Sequence, residues 1–427
     1  MIAICVSMAG LIVLFQNCEQ KKFQVTNFVN KELNGFAPVV DLPSVESELQ
    51  LDLPADPDTF QNDPILSNEN PSLSTTALIV GKTYYVAKTG SDISGTGTME
   101  KPFKTIPHGY SKINPGDTLI VRAGVYNEYR PNYGLHFNKK TTSASKPIII
   151  KSEVKGAAII DLLNKPDAQS GIWLSGHYHT IDGFKIRNAV NGVIVYGNYN
   201  KIVRNEIYNN GNGGDPKSIY GQSGVFSGDY SYNNIYDRNY VHHNGRIKYN
   251  SGLDHGFYLV GANEIVMNNI VTYNSAMGIK VAGYETSASN THVYNNISAF
   301  NGHSGLFVYK KISNISFRNN IIYKNKRYAV TIHSIIGSGI VFSNNSYYGH
   351  LSTSPRINVI PTGSFKISET SIFTANPLFL NELSDYRLQS SSPLINKGWN
   401  TSATVKVDYL GVTRPKGGVV DIGAHER

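Results

Sequence analysis

From Gly192 to Asn345 one short phrase recurs at a loose period, and a chain written this way folds by stacking copies of one unit on the next. Anchored on its first Gly, the phrase reads NGVIVYG at 191, SGVFSGD at 223, HGFYLVG at 255, MGIKVAG at 277, SGLFVYK at 304 and, more faintly, YAVTIHS at 328. The glycines lie 32 (192 to 224), 32 (224 to 256), 22 (256 to 278) and 27 (278 to 305) residues apart. A second phrase interleaves with it: RNEI, RNYV, NNIV, NNIS, NNII and NNS, in which Asn205, Asn239, Asn268, Asn295, Asn319 and Asn344 are expected to share one place. Apolar residues alternate within the first phrase, with Ile279 in, Lys280 out and Val281 in, the two-residue period of a half-buried strand. Strands this short, with no crossover helix between them, must pair with their own copies one turn later. The asparagine column fits a ladder of stacked amides at the coil corners. The fold class expected is all-β, a parallel β-helix.

Composition narrows the partners. Charged residues are 16% of the 427, aromatics 11%, and tyrosine alone numbers 27, so the surface is largely Asn, Ser, Thr, Gly and Tyr, which suits a carbohydrate-facing protein. The formal charge of +8 favours an acidic partner, yet Lys and Arg form none of the dense runs of a phosphate-tracking protein, so nucleic acid is not expected. Cys5 and Cys18 are the two cysteines, which leaves the later chain without a disulfide framework or a cysteine metal site.

Taken in order, residues 1–18 carry an apolar run too short to span a bilayer comfortably, ending at Cys18, and resemble a bacterial lipoprotein signal. The resemblance implies lipidation of Cys18 and a membrane attachment through that anchor alone; plain secretion and a simple membrane anchor are the alternatives, and all three place the protein outside the cytoplasm. Residues 19–80, rich in Asp, Pro, Ser and Asn, recur in too few apolar positions to bury a core and read as a tether. From 81 to 427 the expectation is a single β-helix domain. Its N-terminal cap spans 81–130, with a strand at Tyr84–Val86, a short helix at Thr105–Ile113 and a strand at Thr118–Arg122. Coils follow over 131–350 and a closing segment over 351–427.

The openings YYVAKTGSD, KPFKTI and PGDTLIVRAGVYNE resemble the entry of pectate-lyase-like β-helix proteins, particularly polysaccharide lyase family 9. That resemblance implies a right-handed helix with a short N-terminal capping helix. The run DYRLQ, SSPLINKG and DIGAHE is similar to a C-terminal segment shared by many surface β-helix proteins, in which it closes the last coil. Asp408, Arg414, Asp421 and Glu426 there read as internal ion pairs of a terminal cap.

Aligned on their glycines, the phrases put Ile194, Phe226, Tyr258, Lys280, Phe307 and Thr331 in one outward column, and Gln222, Asp254, Ala276, His303 and Arg327 in another. Stacked strands lie about 4.8 Å apart, so Lys280 stands between Tyr258 and Phe307, a cation among rings that could bind an acidic sugar. The segment GIKVAGYETSASNTHVYNNISAFNGHSGL also resembles family-9 lyases at the coil bearing their catalytic lysine, which implies Lys280 as base. The same resemblance implies a calcium ion held through Asp254, although the other two family carboxylates are here His255 and Tyr258. β-Elimination on a uronate needs a neutral base and a cation for the developing charge. An ordinary lysine becomes a neutral base near pH 8 only if its ammonium is destabilised by about 2.7 kcal/mol.

The expected site is therefore Lys280, Asp254, His255 and Arg327 for catalysis, with Tyr258, Phe307, His303 and Phe226 for sugar binding. An acidic polysaccharide is the expected partner, and a monomer the expected state. Two other readings stay open: a non-catalytic surface protein that binds glycan, and a glycoside hydrolase using Asp229, Asp237 and Asp254.

Overall fold

A computed structural model describes residues 81–427 except 140, 166, 212–220, 247–251, 351–355 and 361–365. The chain divides into two units, Met1–Glu48 and Leu49–Arg427. The proposed signal, Cys18 and the tether lie outside the described residues, and so does the whole first unit. Among the described residues no helix is long and apolar enough to cross a membrane.

The coil strands pair in parallel throughout, in a sheet of 18 strands and another of 9. A typical coil contributes three strands, for example Phe257–Leu259, Ile265–Met267 and Ile270–Thr272. Register confirms the glycine alignment: Phe226 pairs with Tyr258, Tyr258 with Lys280, Lys280 with Phe307 and Phe307 with Thr331. Ile279 and Val281 point into one continuous core that runs from Val86 to Tyr347. Each such side chain contributes about 1.5–3 kcal/mol by leaving water, and a coil provides several. The cap follows its sequence signals. Its helix spans Ile106–Lys112, the Thr105 hydroxyl accepts from the His108 amide, and Pro107 occupies the first turn, where a missing N–H costs nothing. Three late strands, Ile279–Ser289, Leu306–Arg318 and Val330–Ser343, are longer than the rest because they run on into the coil bend, and the last two continue through it into the second strand position.

The asparagine ladder exists, but one residue out of place in four of its six rungs. Register carries Glu206 to Tyr240, Ile270, Ile297, Ile321 and Ser346, so the stacked residues are Asn205, Asn239, Asn269, Asn296, Asn320 and Asn345. Each Oδ1 accepts from the backbone amide of the previous rung, at 2.8 to 3.0 Å. Asn268, Asn295, Asn319 and Asn344 are instead the preceding residues, at φ between 52° and 56°. Asparagine tolerates this left-handed conformation better than most side chains, which accounts for the doubled Asn. A second ladder, Asn210, Asn244, Asn274, Asn301 and Asn325, pins another corner.

The C-terminal segment first adds to the last coil and then leaves it. Strands Ile357–Ile360 and Ile367–Thr370 extend the large sheet by pairing with Val330–Ser343. The chain then turns back along the side of the solenoid, where Phe379, Tyr386, Leu388, Leu394 and Ile422 pack on Ile270, Ile297 and Ile321. The outward asparagines hold it: the Asn268 amide donates to Val407 O, that of Asn295 to Asp421 O, that of Asn319 to Trp399 O, and that of Asn344 to Lys397 O. Arg414 and Glu426 meet at 2.6 Å with both side chains buried, and Asp408 accepts from three backbone amides. These charged residues are internal to the segment, as their sequence context implies.

Candidate functional site

Coils approach closely where the phrase begins with Gly. A Cβ at Gly256 would stand 2.6 Å from Gly278 O, and one at Gly278 would stand 2.1 Å from Ser298 Oγ, so glycine is required at both. This close stacking aligns the outward column. Lys280 Nζ lies 4.5 Å from the centre of the Tyr258 ring, 5.5 Å from Phe307 and 5.3 Å from Tyr309. Cation–π attraction to three rings suits an ammonium, and it strengthens as water is removed. Phe226 meets Tyr258 edge-on at 5.3 Å.

Lys280 was expected to project from an open face. It is 1% exposed, because its ring neighbours are themselves buried and Tyr284 extends the cluster. The Tyr258 hydroxyl donates to that of Tyr284 at 2.5 Å, on the strand that also carries Lys280.

Asp254 is wholly buried, and its carboxylate is engaged on both oxygens. Arg246 donates Nε to Oδ2 and Nη2 to Oδ1, each at 2.9 Å, while the amides of Arg246 and Gln222 donate at 2.9 Å. A carboxylate with four donors has little left for a metal ion or a proton-transfer role. With His255 and Tyr258 at the other two family positions, these residues do not fit a calcium site, and no step below is routed through one. Among the described residues no group of three or more His, Cys, Asp or Glu could hold a metal.

His255 is 0% exposed, its ring edge-on to Tyr258 at 5.3 Å. Burial first, then the charges of Lys280 and His303, hold its imidazole well below the usual histidine range. His303 forms the next link: its Nδ1 lies 2.9 Å from Ser304 Oγ, and Arg327 Nη1 lies 3.3 Å from its Nε2. Burial and Arg327 push His303 down to about 4. The structure thus gathers Lys280, His255, His303, Tyr258, Phe307 and Phe226 on one stretch of the outer face. Arg327 joins through His303, and Asp254 is withdrawn into its pair with Arg246.

The carboxylates of the hydrolase reading are each tied elsewhere. Asp229 accepts from the amide and hydroxyl of Thr286, and Asp237 accepts from Arg238 and Asn268. Burial raises both above the usual range.

Three residues here escaped the sequence reading. Tyr309 and Tyr284 continue the two-residue alternation past Phe307 and Lys280, so extending the outward column along each strand would have found them. Arg246 lies outside both phrases, and no periodic signal marks it.

With the geometry in hand, comparison with known proteins identifies the architecture. Residues 84–257 match a family model described as the Pel9A-like right-handed β-helix region, a match that ends before Lys280. A search of curated protein sequences finds no match. Among solved structures, the pectate lyase Pel9A superposes with a TM-score of 0.58 at 18% identity, covering 83% of this chain and 98% of its own. A rhamnogalacturonan lyase aligns at 17% identity and TM-score 0.48, covering 70% of this chain and 91% of its own. An alginate lyase from Paenibacillus sp. str. FPU-7 aligns at 16% identity and TM-score 0.39, covering 68% and 95%. Of these three, the pectate lyase alone superposes closely enough to show a shared fold, and at that identity it shows fold alone. The chain has a pectate-lyase-like, right-handed parallel β-helix fold, and its residues 84–257 match the Pel9A-like β-helix region.

Proposed function

We propose that this protein cleaves an acidic, uronate-containing polysaccharide by β-elimination at the face that carries Lys280. The observation that carries this reading is that a caged cation, Lys280, and a buried imidazole, His255, both lie against the Tyr258 ring on an aromatic stretch of one coil face. Elimination beside a carboxylate asks for a cation to meet the developing enolate and a base to take the proton, and this face offers groups of both kinds. Rings at Tyr258, Phe307 and Phe226 suit the faces of sugar units. The lyase-like fold supports the reading, and so do the ties on Asp229, Asp237 and Asp254, the three carboxylates of the hydrolase reading. On the strength of residues 1–80 we place the protein outside the cytoplasm, tethered through Cys18, and we take it to be a monomer.

The burial of Lys280 favours one other reading, a non-catalytic glycan-binding β-helix in which the caged lysine is structural. Absorbance of the unsaturated product, measured over a panel of uronate polymers with and without chelator, separates the two. Lyase activity is expected, unaffected by the chelator and abolished in Lys280→Ala with folding retained. A folded protein that releases no unsaturated product from any of the polymers favours the binding reading.

A further inference from the structure

Within the cluster at Lys280, His255 has an unusual standing: it is wholly buried and neither ring nitrogen has a hydrogen-bond partner. A buried polar group without a partner costs about 1–3 kcal/mol, so its retention needs a reason. Register explains where the ring sits. The residue before one phrase glycine reaches the residue two places into the next coil's phrase, as Ser304 Oγ does in lying 2.7 Å from Thr331 Oγ1. His255 and Lys280 occupy the corresponding two places earlier in the column. Lys280 and His303 face the imidazole from later coils, with Arg327 behind His303, Tyr258 stands beside it, and the neighbouring Asp254 is neutralised by Arg246.

We propose that His255 is the general base of the elimination and Lys280 its electrostatic partner, the ammonium that meets the substrate carboxylate. This rests on the β-elimination reading above and reassigns roles within it. The three rings around Nζ are a setting for a cation, while His255 presents a lone pair that no described residue uses. The proton on the carbon next to the carboxylate passes to the imidazole, and the electrons of that C–H bond form the new C=C bond. The C–O bond to the departing sugar breaks, and its oxygen takes a proton from water. The imidazolium then returns its proton to the hydroxide left behind. Because the pair is closed to solvent, the polymer must displace side chains to reach it. Tyr284, half-buried and bonded to Tyr258, is placed to be one of them.

The test compares wild type, His255→Gln and Lys280→Arg on the uronate polymer that wild type cleaves best, with kcat/KM followed against pH. His255→Gln is expected to lose about 10²–10⁴-fold with its melting temperature unchanged. Wild-type kcat/KM is expected to stay level from about pH 6 to 8, where a lysine base would make it rise by up to about tenfold per unit. Lys280→Arg, which keeps the charge but cannot give up its proton, is expected to retain measurable turnover with the same level profile. His255→Phe serves as a second variant if glutamine disturbs folding. Turnover preserved in both His255 variants, with Lys280→Arg inactive and a rising wild-type profile, overturns the assignment and leaves the lyase reading standing. A wild type that cleaves no uronate polymer overturns both.

Discussion

Two outer faces of this solenoid are buried, and they are buried differently. Along the third strand of the coils at Ile270, Ile297 and Ile321 the C-terminal segment lies on the sheet, and its buried cation is met by an anion: Arg414 donates to the Glu426 carboxylate and to Asp421 O and Gly423 O, with Nε alone left without a partner. Along the first strand, the column from Phe226 to Phe307 is covered too, yet His255 keeps two ring nitrogens without partners beside a caged lysine. The contrast teaches that burial on a β-helix surface does not separate structure from function. A proton-accepting ring left without any partner, as at His255, is the better marker.

The sharpest way to break the comparison is to unmake an answered pair. Arg414→Met leaves the Glu426 carboxylate buried without its cation and is expected to cost about 3–5 kcal/mol in denaturant titration. A loss below about 1 kcal/mol would show that the segment does not depend on this pair. Glu264 tests a middle case, a buried acid answered by hydroxyls rather than by charge. It accepts from Ser227 and Tyr236, and burial pushes its pKa up to about 7 from 4.5. The folded state therefore holds its proton more tightly than the unfolded chain, and this contribution to stability is present in full below about pH 4.5 and is lost as pH rises to about 7. Glu264→Gln is expected to remove that decline, gaining up to about 3 kcal/mol on wild type at pH 8 compared with pH 4. Equal pH slopes in the two proteins would refute a protonated Glu264. The smallest effect is expected at the unanswered group. His255→Phe removes no hydrogen bond and should change stability by less than about 1 kcal/mol, or raise it. A loss of several kcal/mol in the same titration would mean that the ring has a structural partner.

Legibility in the sequence followed what is periodic. The alternation at Ile279, Lys280 and Val281 and the glycine at the head of each phrase carried the column Phe226, Tyr258, Lys280, Phe307 into correct register. The asparagine column was harder, because NN offers two candidates per corner and the residue choice at Arg204-Asn205 and Arg238-Asn239 resolves only the first two. Asp254 read as a candidate ligand because its eventual partner, Arg246, lies in an aperiodic stretch.

The two-residue period by itself determined which side chains enter the core and which leave it, since successive strand residues must point to opposite faces. What lies on top of an outward residue was decided in three dimensions. Asn295 bonds to Asp421, 126 residues further on. Lys280 is enclosed by rings from neighbouring coils. Local spacing encodes direction, because direction is a property of the backbone. Cover is a property of whichever distant segment packs there, and no repeat records it.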